Sequence, residues 1–287
     1  MEINKLTDSL IPPLLQELSD APKMLFSTLT AEELASLLQR PRVAIVGSRK
    51  VTAYGRRVTA ELAAKLAAQG IVIISGLALG ADAIAHQAAL DAGGTTIAAL
   101  PSPLERIYPS SHRDLAAQIT KRGGALLSEY PRGTDTYPWS FVARNRIIAA
   151  LSQAVIITEA AEKSGSLHTA NFALEQGKDV LAVPGNITSE TSKGTNNLIK
   201  AGAAPVTSYK DVLAALGLHE HDEKMTAARG ANPAEQAILE LLLGGTADGE
   251  ALQRTSKLDI ALFNQTLTML ELSGKVRSLG SNQWTLS

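Results

Sequence analysis

Residues able to grip phosphate crowd into one short stretch of this chain. Between Leu34 and Ala60 it carries Arg40, Arg42, Arg49, Lys50, Arg56 and Arg57 and no acidic residue. The 287-residue chain as a whole is balanced, with 27 basic and 28 acidic residues. Any attraction for a polyanion must therefore be a local field. Arg49 follows the run VAIVGS directly. A side chain just past a buried strand projects into the crevice where open α/β sheets hold ligands, and a guanidinium there can fork onto a phosphate. Arg56 and Arg57 fall in a helical pattern, where arginines usually face solvent.

Two Gly/Ser turns and one aromatic-basic cluster would share that task. Ser75 and Gly76, with Gly80 and Asp82 following, and the run Lys163, Ser164, Gly165, Ser166 can turn backbone amides toward an anion at a helix start. Alternatively the glycines only permit tight turns. Several such loops opening onto one edge favour a shared ligand surface. Arg144, Asn145 and Arg146 follow Trp139 and Phe141, a mixture that suits a nucleotide chain with bases stacked and phosphates held. Helical neighbours cannot all face one way. Phe141 with one or two of the polar residues is expected at the ligand, and Trp139 is left between ligand and core.

The absences narrow the chemistry. Neither G-x-G-x-x-G nor G-x-x-x-x-G-K-S/T occurs, so dinucleotide binding and P-loop hydrolysis are not indicated. There is no cysteine, hence no disulfide, sulfur-ligated zinc or thiol nucleophile. Asp82 and His86 share a helix face but lack a third metal ligand, which favours a satisfied histidine on a capped helix. His168 has no evident orienting partner. Glu129 and Glu159, at strand ends, are the remaining acid or base candidates, with holding a basic side chain or loop amide as their plainer role. No catalytic residue, metal or cofactor is assigned.

The elements that must position these residues alternate along the chain. Apolar strands are expected at 42–46, 71–74, 95–100, 125–127, 154–158 and 180–183, and helices at 54–69, 82–91, 114–121, 142–151 and 167–176. A last short helix and strand follow at 193–201 and 205–206. Continuous apolar strands between helices predict a doubly wound, mostly parallel sheet covered on both faces. Residues 1–40, with Pro12, Pro13 and Pro22, read as an extended lead-in with a small helix near 31–39. The domain proper is then 41–217, with a polar linker at 218–232. Residues 233–287 read as three helices and a hairpin around Gly280, Ser281 and Asn282, a small C-terminal winged-helix domain. That module has four basic and six acidic residues, and its third helix, 260–272, has no basic one. This predicts a protein-contact or auxiliary role instead of a grip on phosphates. No apolar run approaches the ~20 residues that span a bilayer, and the N-terminus lacks a signal-peptide layout. A cytoplasmic location with no membrane insertion is expected.

Assembled, the motifs resemble the DNA-processing protein A family, also called Smf. They are VAIVGSR at 43–49 with Tyr54 and Gly55, SGLALGAD at 75–82 with Ala85 and His86, Tyr108 and Pro109, LLSEYPRG at 126–133, and FVARNRII at 141–148. EAAEKSGSLHTA at 159–170, VLAVPGNI at 180–187 and KGTNNLIKAGA at 193–203 complete the series. The resemblance implies an extended Rossmann-like fold and a non-enzymatic protein that binds single-stranded DNA and forms a homodimer. It also implies protection of incoming strands in natural transformation and assistance in loading the RecA recombinase. The ligand-binding positions would be Arg49, Ser75, Gly76, Phe141, Arg144, Asn145, Arg146, Lys163, Gly165 and Ser166. Many members carry a helical domain ahead of the α/β core, of which this chain shows only the lead-in at 12–29, and Ala81 stands where the family usually has isoleucine. The rival is a Rossmann-like nucleotide enzyme, such as an N-glycosidic hydrolase, using Glu129 or Glu159 with Arg49.

Overall fold

The computed structural model describes residues 2–218, 230 and 232–286. Most of the linker expected at 218–232 lies outside the described residues. The chain divides into two units, Met1–His219 and Glu220–Ser287.

The first unit is built on a nine-stranded sheet. Its strands are β1 Asn4–Thr7, β2 Met24–Ser27, β3 Arg42–Val46, β4 Val72–Ser75, β5 Thr96–Ala99, β6 Ala125–Ser128, β7 Ala154–Ile157, β8 Asp179–Ala182 and β9 Ala204–Pro205. Between them run α1 Pro13–Gln16, α2 Ala31–Leu37, α3 Ala53–Ala68, α4 Ala81–Asp91, α5 Arg113–Lys121, α6 Pro138–Leu151, α7 Ser166–Glu175, α8 Lys193–Lys200 and α9 Tyr209–Ala215. The strand order is β1-β2-β6-β5-β4-β3-β7-β8-β9. From β3 the chain winds one way through β4, β5 and β6, then returns to place β7 on the other side of β3. The order therefore reverses at β3/β7, and a crevice opens there at the carboxyl ends of the strands.

The apolar strands are continuous because both their faces are covered. Val43 and Ile45 enter one core layer while Ala44 and Val46 enter the other, the period-2 consequence of the pleat. Helix starts are fixed by local chemistry: Thr30 and Glu33 form a reciprocal capping box on α2, and Thr52 accepts from the Gly55 amide at the start of α3.

Two features depart from the expectation. Residues 1–40 are no extended lead-in, because β1 and β2 form an antiparallel pair and β2 adds antiparallel to β6. Each strand has four residues, too short to show periodicity; β2 is a strand through its register with β6, held by Thr28 hydroxyl and backbone bonds to Leu126, and β1 through its pairing with β2. The unpredicted α9 is capped by Ser208 and Asp211, whose carboxylate accepts from the amides of Thr207 and Ser208. The remaining boundaries shift by a few residues, the largest being α6, which begins at Pro138. Proline needs no amide hydrogen at that position.

The second unit contains α10 Pro233–Leu243, α11 Gly249–Ser256, α12 Ile260–Leu272 and a hairpin of β10 Val276–Gly280 with β11 Gln283–Leu286. Ile238, Leu239, Leu252, Phe263, Leu267 and Leu270 form its own core. Asn232, Asp248 and Asp259 cap the three helices. Among the described residues no helix is long and apolar enough to cross a membrane.

Candidate functional site

Arg49 stands at the rim of the crevice at the end of β3. Ser48, before it, donates its amide to the Glu159 carbonyl at 2.8 Å and accepts the Ala81 amide at 3.1 Å. The loops after β3, β4 and β7 are thus stitched at one point. The close approach explains Gly80, which has φ +83° and whose Cβ would lie 2.3 Å from the Ser48 carbonyl oxygen. Glu159 adds a second tie. It is buried, and its Oε2 accepts from the Thr52 amide at 3.1 Å and the Thr52 hydroxyl at 2.9 Å.

The Arg49 guanidinium is exposed and sits over the Phe141 ring, 4.9 Å from its centroid. Tyr108 meets the same ring edge-on at 5.3 Å. No ion pair among the described residues involves Arg49 or Lys163. A cation on an aromatic face keeps its outward N–H groups for a phosphate, while the ring stays half-exposed for a base. Arg40 and Arg42 take no part. They lie at the opposite end of β3, where Arg40 bonds the Gly70 carbonyl and Arg42 those of Leu38 and Leu151. The basic stretch is thus split by the length of a strand, leaving Arg49 and Lys50 at the crevice and Arg56 and Arg57 exposed on α3.

Several expected ligand contacts are turned inward. Ser75 is fully buried and donates its hydroxyl to the Ile45 carbonyl at 2.6 Å. The Gly76 amide is bonded to Asp82 Oδ2 at 3.1 Å, and its carbonyl accepts from Arg144 Nη1 at 2.6 Å. The Gly76 N–H is therefore already engaged and not offered to an anion. Arg144, 3% exposed, also bonds the Ala99 carbonyl and so ties the turn after β4 to β5. Burial lowers its pKa to about 10, leaving it charged, while burial raises that of Asp82 against the pull of Arg144. Arg146 is buried too, pairing with Glu129 at 2.7 Å and Asp20 at 3.2 Å. Through Arg144 and Arg146 α6 therefore serves the fold, and of the residues expected at the ligand on this helix only Phe141, beneath Arg49, and Asn145 stay partly exposed. Asn145 Nδ2 reaches the Gly165 carbonyl at 3.4 Å, linking α6 to the loop after β7. In that loop Lys163 and Gly165 are exposed, whereas Ser166 is buried and its hydroxyl bonds Ser164. The carboxylates a hydrolase would use are both engaged, Glu129 with Arg146 and Glu159 with Thr52.

His86 was expected to be satisfied and is only half so. Its Nδ1 meets Thr96 Oγ1 at 2.6 Å, and Thr96 in turn donates to the Ile73 carbonyl at 2.5 Å, so Nδ1 carries the proton. Among the described residues Nε2 has no partner. Burial, with Arg144 and His112 nearby, lowers its pKa from 6.5 to about 3. Between those values the unfolded chain binds one more proton than the folded one, so stability falls as pH drops below about 6.5. From pH 7.5 to 5 this amounts to about 2 kcal/mol. His86→Gln should flatten the stability–pH curve by that amount in urea titrations, and a slope equal to that of the parent would show that His86 does not carry it.

Tyr108, distant from the basic run, was given no contact at the site from the sequence, and Trp139 was left between ligand and core. Trp139 is 60% exposed and stacked on Tyr137 with ring centroids 5.9 Å apart.

The family model for DNA recombination-mediator protein A matches residues 2–217, and that for the DprA winged helix domain matches residues 222–282. Protein Smf of Escherichia coli (strain K12) is 44% identical over 210 residues, 72% of this chain and 55% of that protein. The chain thus spans little more than half of that relative's length. The X-ray structure of DNA processing protein A from Streptococcus pneumoniae superposes with TM-score 0.68 at 40% identity, over 77% of this chain and 76% of that one. DNA processing protein A from Helicobacter pylori, whose structure describes a single-stranded DNA binding mode, superposes with TM-score 0.67 at 36% identity, over 76% and 98% of the two chains.

Proposed function

Because this chain belongs to the DNA recombination-mediator protein A family, we propose that it binds single-stranded DNA along the crevice at the β3/β7 switch point. The observation that carries the reading is the Arg49–Phe141 pair, a cation in no ion pair among the described residues, held on a half-exposed ring at the point where three loops are stitched. Arg49 takes a phosphate, Phe141 stacks a base, and Lys50 and exposed Lys163 extend the positive track on either side. Binding, with no bond broken, is the chemistry proposed, since both candidate carboxylates hold structural partners. The proposal extends to what a strand-binding member of this family would serve: protection of incoming DNA in natural transformation, loading of the RecA recombinase, and action as a homodimer in the cytoplasm.

The test is a titration of oligo-dT by fluorescence anisotropy. Affinity should rise with length over several nucleotides and fall with salt at a slope of about −2 to −3, as expected for three or four cations on a single strand. A mononucleotide should be bound weakly and returned unaltered. Length-independent affinity, or conversion of the mononucleotide, would favour the hydrolase reading.

A further inference from the structure

We propose that the stacked pair Tyr137–Trp139 is a second stacking station for the bases of the same strand, and that the hollow beside it receives a base edge. This rests on the reading of the Arg49–Phe141 site above. Trp139 and Phe141 are two residues apart in the first turn of α6, so at 3.6 residues per turn they leave the helix about 200° apart. The two aromatic clusters therefore flank the helix start. Phe141 stands with Tyr108 and Arg49 on one side, and Trp139 stands with Tyr137 and Tyr130 on the other. A strand gripped at Arg49 need only cross exposed Pro138 to reach the second cluster.

The rings of that cluster are exposed and set against one another. Tyr137 is 49% and Trp139 60% exposed, their planes are within 8°, and Tyr130 meets Trp139 at 6.3 Å. The Tyr137 amide donates to the Ser140 hydroxyl at 3.3 Å, which fixes the start of the helix. Two large rings held in place without being covered match the sequence-tolerant platforms on which bases stack. A second observation points to a ligand there. The hollow against Trp139, about 390 Å³, is lined by Asp20, Lys23, Glu129, Tyr130 and Arg146. Arg146 is 7% exposed and bonds Asp20 and Glu129 through Nε and Nη2, yet its Nη1 has no partner among the described residues. A buried charged donor left unmade is costly. A carbonyl or ring nitrogen on the edge of a base stacked on Trp139 would complete it.

The chain has two tryptophans, so Trp284→Phe leaves Trp139 as the sole tryptophan, whose emission is excited selectively beyond the tyrosine absorption band. In that background an oligo-dT of roughly 20 nucleotides should quench its fluorescence, and Trp139→Ala should weaken binding of that oligonucleotide at least fivefold, the scale of one lost base–aromatic stack. A tract too short to reach past Phe141 should bind both proteins alike, and Trp139→Phe should restore affinity. Unchanged emission with wild-type affinity for Trp139→Ala, while Arg49→Ala still loses DNA, would overturn the second station and leave the first intact. Wild-type affinity in both variants would sink both. Equal losses in the Ala and Phe variants with lowered melting temperature would assign Trp139 to the fold and overturn the station as well.

Discussion

Arg49→Ala should lose single-stranded DNA affinity by roughly 10- to 100-fold while leaving the melting temperature unchanged. A hydrogen bond to a charged group contributes about 1.5–3 kcal/mol, which sets that range. The small effect on stability follows from exposure: the side chain lies on the Phe141 ring with no ion pair among the described residues, and surface changes of this kind are usually within about 0.5 kcal/mol. Arg49→Lys separates charge from geometry. Lysine keeps the positive charge but not the planar fork or its stacking on Phe141, so it should recover the salt slope and only part of the affinity, whereas the alanine variant should lose about 0.7 of the slope. Anisotropy titrations at two salt concentrations, with matched single- and double-stranded oligonucleotides, read both quantities. An alanine variant that binds as tightly as its parent would remove Arg49 from the site.

How far the sequence could lead to this site depended on whether a residue's role was set locally. Arg49 was legible because a buried strand followed by Gly-Ser leaves the next side chain at the crevice, whatever the rest of the fold does. Lys163 and Gly165 were legible for the same reason after β7. The inward placement of Ser75, Gly76, Arg144 and Arg146 was not legible, because composition marks them as polar and phosphate-loving while their partners are up to 126 positions away, as Asp20 is from Arg146. Nothing within a window around Arg144 states that the Gly76 and Ala99 carbonyls converge on it. The same holds for Arg40 and Arg42, which share a charge run with Arg49 but fall at the other end of a five-residue strand. The sheet itself was read well where strands are buried on both faces, and failed for β1 and β2. Those strands have no periodicity of their own and exist through pairing, β1 with β2 and β2 with β6.

The inward turn of Arg144 has a measurable consequence that separates a structural arginine from a DNA-binding one. The Gly76 peptide is held from both ends, its N–H on Asp82 and its carbonyl on Arg144, and both ionic side chains are buried. Arg144→Met removes the cation, orphans the Gly76 and Ala99 carbonyls, and leaves the Asp82 carboxylate buried without its compensating charge. Each buried hydrogen-bond partner left unsatisfied costs about 1–3 kcal/mol, so the variant should unfold at a markedly lower urea midpoint. Adding Asp82→Asn should recover part of the loss, since the stranded charge is gone, and the recovery measures the coupling between the two. The folded fraction, assayed at low temperature, should bind oligo-dT with the parent salt slope, because Arg49 and Phe141 still face the strand. If Arg144 instead gripped a phosphate, its replacement would leave the urea midpoint in place, reduce the salt slope, and gain nothing from Asp82→Asn. The order of those results decides whether the FVARNR segment acts on DNA through its arginines or through the aromatic rings they hold in position.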